Sequence, residues 1–410
     1  MRRVVISGLG VVSPLGCDMP AVWQKLQAGE SGIGPITKFD ATDFASRIAG
    51  EVSDFDPSVA VDRKAQRRMD EFSLFALVAA KSAVEDSGID FTAEDPTRMG
   101  VIVNSGIGGL QTLEVQQKSM LERGPSRCSP FMIPQMIINM AGGLIAIEYN
   151  CQGPNFAVVT ACASASHGIG ESLRLIQHGD ADVIISGGTE ASVCKLGVGG
   201  FCAMRALSTR NDDPTAASRP FDVDRNGFVI ADGAAILVLE ELEHAKARGA
   251  TIYCELAGFG MSCDAFHITA PSEDGDGASR AMKNAMNDAG VTPEEVSYIN
   301  AHGTSTQLND IMETKAIKGA LGEAAKNVMV SSTKSMTGHM LGAAGGFEAA
   351  AVALALRDQV VPPTINHHNP DPQCDLDYVP LEARKTDVNV CLSNSLGFGG
   401  HNACVAFKKM

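Results

Sequence analysis

Short apolar runs alternate with helix-like stretches along the chain, and the same order occurs twice. In the first half, the helix-like stretch Ala83–Ile89 precedes the β-prone run Val101–Asn104 and a glycine-rich turn. In the second half, Ala285–Val291 precedes Tyr298–Ala301 and another glycine-containing turn, and Ala285 lies 202 residues after Ala83. Apolar runs of this length bounded by turn residues are typical of buried strands. The pattern predicts one strand–helix arrangement repeated in two halves.

Two further pairs of segments follow in the same order. In the first pair, the β-prone run ending near Cys162 leads into a helix-like stretch, just as Val328–Ser332 leads toward Gly345–Ala351. In the second pair, the apolar run Val183–Gly188 matches Val388–Asn394. Strands that alternate with helices predict parallel βαβ units, whose crossover helices cover the faces of a sheet. We therefore expect a duplicated α/β fold, with halves at residues 1–250 and 251–410 and a site between them. Chance similarity among glycine- and alanine-rich helix ends is the alternative.

Composition indicates a globular protein without a membrane segment. The 410 residues are 45% hydrophobic and 20% charged, close to ordinary soluble values. The longest uncharged apolar stretch, Cys128–Ile147, is interrupted by Pro130 and Pro134 and would span a membrane poorly. Because an apparent strand begins at Val4, no room is left for a leader peptide, and we expect a cytoplasmic protein or a mature protein whose leader has been removed. The net charge of −15 argues against nucleic-acid binding, which relies on basic surface.

One cysteine stands apart from the others by its sequence context. The eleven cysteines are odd in number and scattered, and no CxxC pair occurs, which favours buried thiols over a disulfide framework. Before Cys162, however, an apolar run gives way to small residues that can begin a helix. The free N–H groups at a helix N-terminus favour a thiolate, so we expect Cys162 to have a lowered pKa and to act as a nucleophile.

Two histidines and a lysine far downstream are candidates to work with that thiol. His302 follows an apparent strand end, where α/β sheets build their sites. Lys334 and His339 lie in one turn of small residues, and Glu348 on the following stretch is a partner for the lysine. Each also has a structural interpretation, as a core histidine or a solvated lysine. Their spacing matches no metal-binding motif, so no metal is expected.

Together these groups fit carbon-centred acyl chemistry. A thiolate accepts an acyl group as a thioester, and histidines that donate hydrogen bonds to a second thioester's carbonyl stabilise the enolate formed by decarboxylation. A Cys–His protease would need one histidine and an orienting Asn or Asp. It would leave Lys334 and the second histidine without a role.

Glycine-rich turns follow several of the apparent strands. Gly106–Gly109 and Gly397–Gly400 match neither a P-loop nor a dinucleotide-binding fingerprint, so no nucleotide cofactor is expected. Phe398, between glycines, is either a mobile gate or a core residue in a tight turn.

Four motifs in order resemble the β-ketoacyl-acyl carrier protein synthases of fatty acid synthesis. They are Thr160–Ser164, Asn300–Thr306, Lys334–His339 and Asn394–Gly400, and the resemblance covers essentially the whole chain. It implies the thiolase-like fold, a duplicated five-layered αβαβα architecture, and a homodimer that needs no cofactor. It also implies a ping-pong Claisen condensation, in which an acyl chain passes from acyl carrier protein to Cys162 and malonyl-acyl carrier protein then decarboxylates.

The resemblance implies roles for the catalytic candidates. Cys162 is similar to the nucleophile of this family, and His302 and His339 are similar to the pair that binds the malonyl thioester carbonyl. By the same resemblance, Lys334 would order the site through Glu348.

Further positions resemble the family's substrate contacts. The backbone N–H groups of Cys162 and Phe398 would form the oxyanion hole, and Thr304 and Thr306 would contact pantetheine. Ile107 resembles the acyl-pocket residue of the long-chain-elongating type, type II, and Phe398 resembles the gate to that pocket.

Five basic residues resemble the family's docking patch for acyl carrier protein. The three-to-four-residue spacing of Lys64, Arg67 and Arg68 predicts one helical face, which by itself indicates only a solvated surface. Together with Arg127 and Arg205, these residues resemble the docking patch. Local positive charge would steer an acidic partner to this surface even though the net charge of the chain is negative.

Several alternatives and departures accompany this interpretation. A ketosynthase of a polyketide or specialised lipid pathway would keep the same Cys–His–His set, whereas a non-catalytic partner subunit would not need Cys162. Two histidines separate the chain from the priming type, and a degradative thiolase would carry a second reactive cysteine near the C-terminus. Gln307 stands where the family usually has Pro, and His401 stands where it usually has Thr. These two positions are expected to affect the stiffness of one loop and the surroundings of the gate.

Overall fold

The computed structural model describes all of residues 1–410. Its strands are β1 (Val4–Val12), β2 (Gly34–Pro35), β3 (Ile48–Ala49), β4 (Met99–Asn104), β5 (Val183–Glu190), β6 (Gly233–Glu241), β7 (Cys254–Cys263), β8 (Tyr298–Asn300), β9 (Met329–Ser331), β10 (Val360–Val361), β11 (Arg384–Lys385), β12 (Val390–Gly397) and β13 (His401–Lys408). Its α-helices are α1 (Met19–Ala28), α2 (Arg63–Gln66), α3 (Glu71–Ser87), α4 (Leu110–Arg123), α5 (Met132–Met136), α6 (Met140–Tyr149), α7 (Ser164–His178), α8 (Lys195–Ala203), α9 (Leu242–Ala247), α10 (Asp276–Ala289), α11 (Gln307–Leu321), α12 (Lys334–Thr337) and α13 (Ala344–Asp358).

The main sheet has nine strands in the order β4-β5-β6-β1-β7-β13-β12-β8-β9. The first four strands and the last five form two groups, which are joined where Val4–Ile6 of β1 pairs with Cys254–Leu256 of β7. The two groups have the same order: β4, β5, β6 and β1 of the first correspond to β8, β12, β13 and β7 of the second. The place of β9 is taken in the first group by Asn155, which is bridged to Val101 of β4. The duplication predicted from the sequence is therefore present. Two of the three predicted segment pairs fall on equivalent elements; in the third, α7 and α13 are equivalent, but the run before Cys162 has only the bridged Asn155 where the second half has β9.

Helices separate and cover the two groups of strands. Helix α3 packs on β1 and β6, α10 packs on β7 and β13, and α7 and α13 lie between the groups, with α13 in contact with β5, β6, β12 and β13. This gives the five layers that the resemblance implied. Helix α13 is buried on every side from Ala344 to Leu356, and its many alanines allow close packing against both sheets because they add little bulk. Outer helix α10 instead buries one stripe that includes Ala278, Met282 and Ala285, as expected for an amphipathic helix at a surface.

The predicted parallel βαβ units account for only part of the sheet, and one predicted strand is absent. The sheet is mixed: β4–β5, β8–β9 and β8–β12 are parallel, whereas β5–β6, β1–β6 and β12–β13 are antiparallel. The physical reason is clearest at β12 and β13, which are joined by the short turn Phe398–Gly400, and so short a connection can only join antiparallel strands. The β-prone run before Cys162 also forms no regular strand, since only Asn155 is bridged to β4.

One hydrophobic core extends across both groups of strands, from Val4 to Phe407. The division into domains at residues 250 and 251 stays a prediction. None of the helices is long and apolar enough to cross a membrane.

Candidate active site

Cys162 lies at the entrance to a helix, as its sequence context predicted. A short 3₁₀ helix, Ala161–Ala163, leads directly into α7, and Ala161 has a φ of +52°. The second half repeats this device: the 3₁₀ helix Leu341–Ala343 leads into α13, and Leu341 has a φ of +46°. A positive φ costs a non-glycine residue free energy, and such strain is typical of functional turns. The turn directs Cys162 into a cavity of about 680 Å³.

The fold brings the two predicted histidines to this thiol. His302 follows β8, and His339 follows α12 at the edge of the second half. One ring nitrogen of each histidine and the Cys162 sulfur all lie within 4.8 Å of one another. The two rings meet edge to face, with centroids 5.3 Å apart and planes at 85°. No local spacing in the sequence indicated a close Cys–His–His set, because the three residues come from three separate segments.

Both histidines are uncharged at neutral pH. Burial lowers the pKa of His302 and that of His339 well below their ordinary value, and the nearby Lys334 ammonium lowers both further. Nδ1 of His302 and both ring nitrogens of His339 are buried without a hydrogen-bond partner. Unpartnered buried nitrogens are costly unless a ligand satisfies them. The two rings are therefore suited to donate N–H groups to an oxygen in the cavity.

Lys334 and Glu348 form a buried ion pair behind the histidines. The Lys334 ammonium donates to a carboxylate oxygen of Glu348, and each side chain is 2% exposed. Neither residue lines the cavity. The pairing expected from the sequence is present, and the lysine acts on the site through its charge, without contact to a ligand in the cavity.

The expected lowering of the Cys162 pKa was wrong. Burial raises the pKa of this thiol to about 12, with a smaller contribution in the same direction from Glu190, against the opposing charge of Lys334. The backbone N–H groups of Phe398 and Cys162 also face the sulfur and lower its pKa. Removing a thiolate from water outweighs these nearby dipoles, so the free thiol is protonated. The same two N–H groups are placed to hold a negative oxygen on a carbonyl bound to that sulfur.

The other predicted substrate contacts line the same cavity. Ile107, Thr304, Thr306 and Phe398 all border it, and the hydroxyls of Thr304 and Thr306 are hydrogen-bonded to each other at 2.9 Å. Phe398 is half-buried in the turn between β12 and β13. The cavity therefore gathers one thiol, two imidazoles, two N–H groups and two hydroxyls beside an apolar wall.

Two buried carboxylates near the site were missed by sequence reasoning. Glu313 on α11 accepts the backbone N–H groups of His302 and Gly303, both at 2.8 Å, and burial raises its pKa to about 7. Glu190 at the end of β5 holds the turn that carries Ile107. In the sequence, both resemble ordinary acidic residues of a helix or strand end, and only their complete burial distinguishes them.

The comparisons with known proteins agree over the whole length. The family described as "Beta-ketoacyl synthase, N-terminal domain" matches residues 1–245, and "Beta-ketoacyl synthase, C-terminal domain" matches residues 253–368. This chain belongs to the β-ketoacyl synthase family. The protein named 3-oxoacyl-acyl-carrier-protein synthase 2 from Synechocystis sp. is 57% identical over 408 residues, covering 100% of this chain and 98% of that protein. Its namesake from Coxiella burnetii is 53% identical over 409 residues, covering 100% and 99%.

Solved structures share the fold of this β-ketoacyl synthase. One, described as a type II PKS acyl-carrier protein in complex with its ketosynthase bound to the hexaketide, has a TM-score of 0.93 at 36% identity and covers 100% of this chain and 99% of that one. A β-ketoacyl synthase from Burkholderia phymatum has a TM-score of 0.92 at 34% identity and covers 100% of both chains. The predicted thiolase-like α/β fold is confirmed.

The five basic residues of this β-ketoacyl synthase are exposed, and the helix predicted to carry three of them is shorter than expected. Helix α2 ends at Gln66, so Arg67 and Arg68 lie in the turn that follows, and Arg68 stacks over the ring of Phe131 at 4.9 Å. Buried Asp70, which caps α3, fixes the end of this turn. Arg205 borders the cavity, whereas the remaining members, Lys64, Arg67, Arg68 and Arg127, lie on the surface outside it.

The two departures from the family pattern also have defined places. Gln307 is the first residue of α11, a position where Pro is well tolerated in general, and its carbonyl accepts a hydrogen bond from Arg225 at 3.1 Å. His401 begins β13 opposite Gly397 and lies edge-on to His167. Neither side chain replaces an atom of the Cys–His–His set.

Proposed function

We propose that this chain is an elongating β-ketoacyl-acyl carrier protein synthase of type II, an acyltransferase of fatty acid synthesis. The observation that carries the proposal is the placement of the Cys162 sulfur and the His302 and His339 nitrogens within 4.8 Å of one another in a cavity. Curated relatives at 57% and 53% identity with the name 3-oxoacyl-acyl-carrier-protein synthase 2 support it.

The first half-reaction transfers an acyl chain to Cys162. The sulfur attacks the carbonyl carbon of the carrier-bound thioester as it loses its proton, and the N–H groups of Cys162 and Phe398 hold the resulting oxyanion. Collapse of this intermediate breaks the bond to the pantetheine sulfur, which leaves and takes up one proton. Because the free thiol has a raised pKa, deprotonation accompanies attack, and the uncharged imidazoles are the nearest bases.

The second half-reaction condenses the bound acyl group with a malonyl unit. His302 and His339 donate N–H groups to the malonyl thioester oxygen, so that loss of carbon dioxide leaves an enolate whose negative charge they stabilise. The enolate carbon attacks the acyl-Cys162 carbonyl, and the Cys162 sulfur leaves and regains a proton. Burial keeps both histidines uncharged, and the positive charge of Lys334, paired with Glu348, adds to this effect.

Acyl carrier protein is the proposed partner. The hydroxyls of Thr304 and Thr306 would contact the pantetheine arm, and Phe398 would gate the acyl pocket that Ile107 bounds. Lys64, Arg67, Arg68, Arg127 and Arg205 would dock the acidic carrier. A ketosynthase of similar fold bound to an acyl-carrier protein supports this assignment.

We also propose a homodimer formed through the apolar surface around the segment that runs along β4. Several apolar side chains are exposed there although they are large: Ile133 (57%), Ile147 (78%), Phe156 (40%), Val159 (51%) and Leu196 (43%). Exposed apolar groups gathered on one surface favour association. Sedimentation equilibrium tests this, and a mass of 42.9 kDa, that of one chain, would contradict it.

A ketosynthase of a polyketide or specialised lipid pathway is the second candidate, favoured by the likeness to a ketosynthase bound to a hexaketide. The two differ in their products. An elongating synthase extends saturated acyl carriers by one two-carbon unit, whereas the alternative would extend a β-ketoacyl product again without reduction.

The decisive experiment mixes the protein with acyl carrier proteins whose attached acyl groups are radiolabelled and differ in chain length. We expect labelled protein and, after malonyl-acyl carrier protein is added, a β-ketoacyl product two carbons longer. Cys162→Ala should take up no label, whereas Cys151→Ala should label like the wild type, because Cys151 is similarly buried (8% against 9%) but lies outside the cavity. Label on Cys162→Ala, or none on the wild type, would overturn the proposal.

A further inference from the structure

Glu190 is a buried carboxylate that no catalytic step uses. It ends β5, is 0% exposed and takes part in none of the ion pairs of the structure. Its oxygens accept the Ser105 hydroxyl at 2.7 Å and the N–H groups of Gly106 at 2.8 Å, Ile107 at 3.2 Å and Gly342 at 3.0 Å. A buried charge without a cation is costly unless hydrogen bonds satisfy it, so this carboxylate fixes the four groups that surround it.

Two of these four groups, the N–H groups of Gly106 and Ile107, belong to the wall of the acyl cavity. Gly106, Ile107 and Leu341 border the cavity beside Cys162, and Gly342 follows Leu341. Glu190 packs closely against this wall, since a Cβ atom on Gly106 would lie 3.0 Å from a Glu190 oxygen. Glu190 therefore joins the turn after β4, in the first half, to the 3₁₀ helix before α13, in the second half.

The second half of the fold contains a counterpart of this clamp. Asn104 ends β4 and Asn300 ends β8, and these strands occupy equivalent places in the sheet. Two residues later, the N–H groups of Gly106 and Ile107 are held by Glu190, as those of His302 and Gly303 are held by Glu313. The two halves use the same device, but one turn presents a histidine and the other presents the wall of a pocket.

We propose that Glu190 is a positioning residue that sets acyl-chain selectivity, because it holds the Ile107 wall at a fixed distance from Cys162. This inference rests on the proposed function. It assigns the residue no contact with substrate: the carboxylate acts through the backbone of Gly106 and Ile107 and through Gly342.

Glu190→Gln tests the proposal with little change of shape. The amide can still accept hydrogen bonds at its oxygen, but its NH₂ group would face backbone N–H groups, so part of the clamp is lost. We expect the ratio of kcat/KM between the best and the poorest acyl chain length to fall about tenfold, and malonyl decarboxylation without an acyl donor to stay within about twofold of wild type. Ser105→Ala, which removes one of the four hydrogen bonds to Glu190 and the bond that the hydroxyl accepts from the N–H of Gly108, should flatten the chain-length profile less and carries the test if Glu190→Gln fails to fold.

Glu313→Gln is the matched control, because it alters an equally buried carboxylate on the equivalent turn. It should lower malonyl decarboxylation, through His302, and leave the chain-length profile unchanged. The proposal is overturned if the Glu190 variant keeps the wild-type profile or if both half-reactions fall in parallel, as a general loss of stability would cause. Failure of the wild type to accept any acyl chain would instead count against the proposed function.

Discussion

At the scale of single residues, burial decides the protonation of the site. A helix N-terminus stabilises a negative charge by about 0.3–1 kcal/mol and at most about 2 kcal/mol. Complete burial can move a pKa by about 3 to 5, and each unit corresponds to about 1.4 kcal/mol. Burial therefore wins at Cys162, whose pKa rises to about 12, and it also keeps His302 and His339 neutral. A neutral thiol beside neutral imidazoles lets the site bind an uncharged thioester without burying an unpaired charge.

The raised pKa of Cys162 predicts how the thiol responds to pH. Because only the thiolate is alkylated, iodoacetamide should modify Cys162 about tenfold faster for each pH unit from about pH 7 to about pH 10, without a plateau. Mass spectrometry of the Cys162 peptide measures this rate separately from that of exposed Cys263. A plateau below about pH 9 would mean that Lys334 and the backbone N–H groups outweigh burial.

At the scale of elements, glycine in β1 allows the outer helix to lie close to the sheet. Helix α3 packs on β1, and a Cβ atom on Gly8 or Gly10 would collide with the backbone of α3 at Ala83 or Ala79. A glycine weakens a strand through its extra freedom in the unfolded chain. Here the loss is offset because the close approach buries the apolar face of α3, including Phe72 and Phe75.

Gly10→Ala should therefore destabilise the protein. Overpacking against Ala79 should lower the free energy of unfolding by about 1–3 kcal/mol, as measured by urea denaturation. Gly34→Ala is the control, because no atom lies within 4 Å of a Cβ placed there, and it should change the free energy by less than about 0.5 kcal/mol. Equal effects of the two substitutions would show that the contact between β1 and α3 has room to adjust.

At the scale of the whole molecule, the distribution of charge decides where an acidic partner can associate. The chain carries a net charge of −15, which repels an acidic partner in general. Lys64 and Arg67 nevertheless lie exposed together in and just after α2. A local basic patch of this kind increases the association rate with an acidic carrier, and added salt weakens the effect.

Reversing these charges should affect carrier-bound substrates alone. Lys64→Glu with Arg67→Glu should raise KM for acyl-acyl carrier protein by about tenfold or more at low salt, because like charges then face each other, and should leave reaction with small acyl thioesters unchanged. The control is Lys283→Glu with Lys409→Glu, which changes the net charge by the same amount and keeps Lys64 and Arg67. Both lysines are exposed and take part in no ion pair, so this variant should leave both reactions unchanged. Equal losses on carrier-bound and small substrates would contradict a docking role.

Local patterns in the sequence were enough to predict the order of most elements and the candidate chemistry. The apolar runs at Val101–Asn104 and Val183–Gly188 became strands, and their counterparts revealed the duplication, because strand and helix patterns depend mainly on neighbours along the chain. Motifs around Cys162, His302 and Lys334 indicated acyl chemistry for the same reason: each motif is local. The helix predicted to carry Lys64, Arg67 and Arg68 is shorter than expected: α2 ends at Gln66, and Asp70 already caps the next helix.

How these segments act on one another depends on the packing of the whole chain. The convergence of Cys162 with His302 and His339, the clamp of Glu190 and the raised thiol pKa all depend on groups brought together from both halves. Contacts between residues distant in sequence, and the removal of water from a charge, are properties of the packed whole. No local pattern records them, so the sequence identified the reactive groups and the fold set their geometry and protonation.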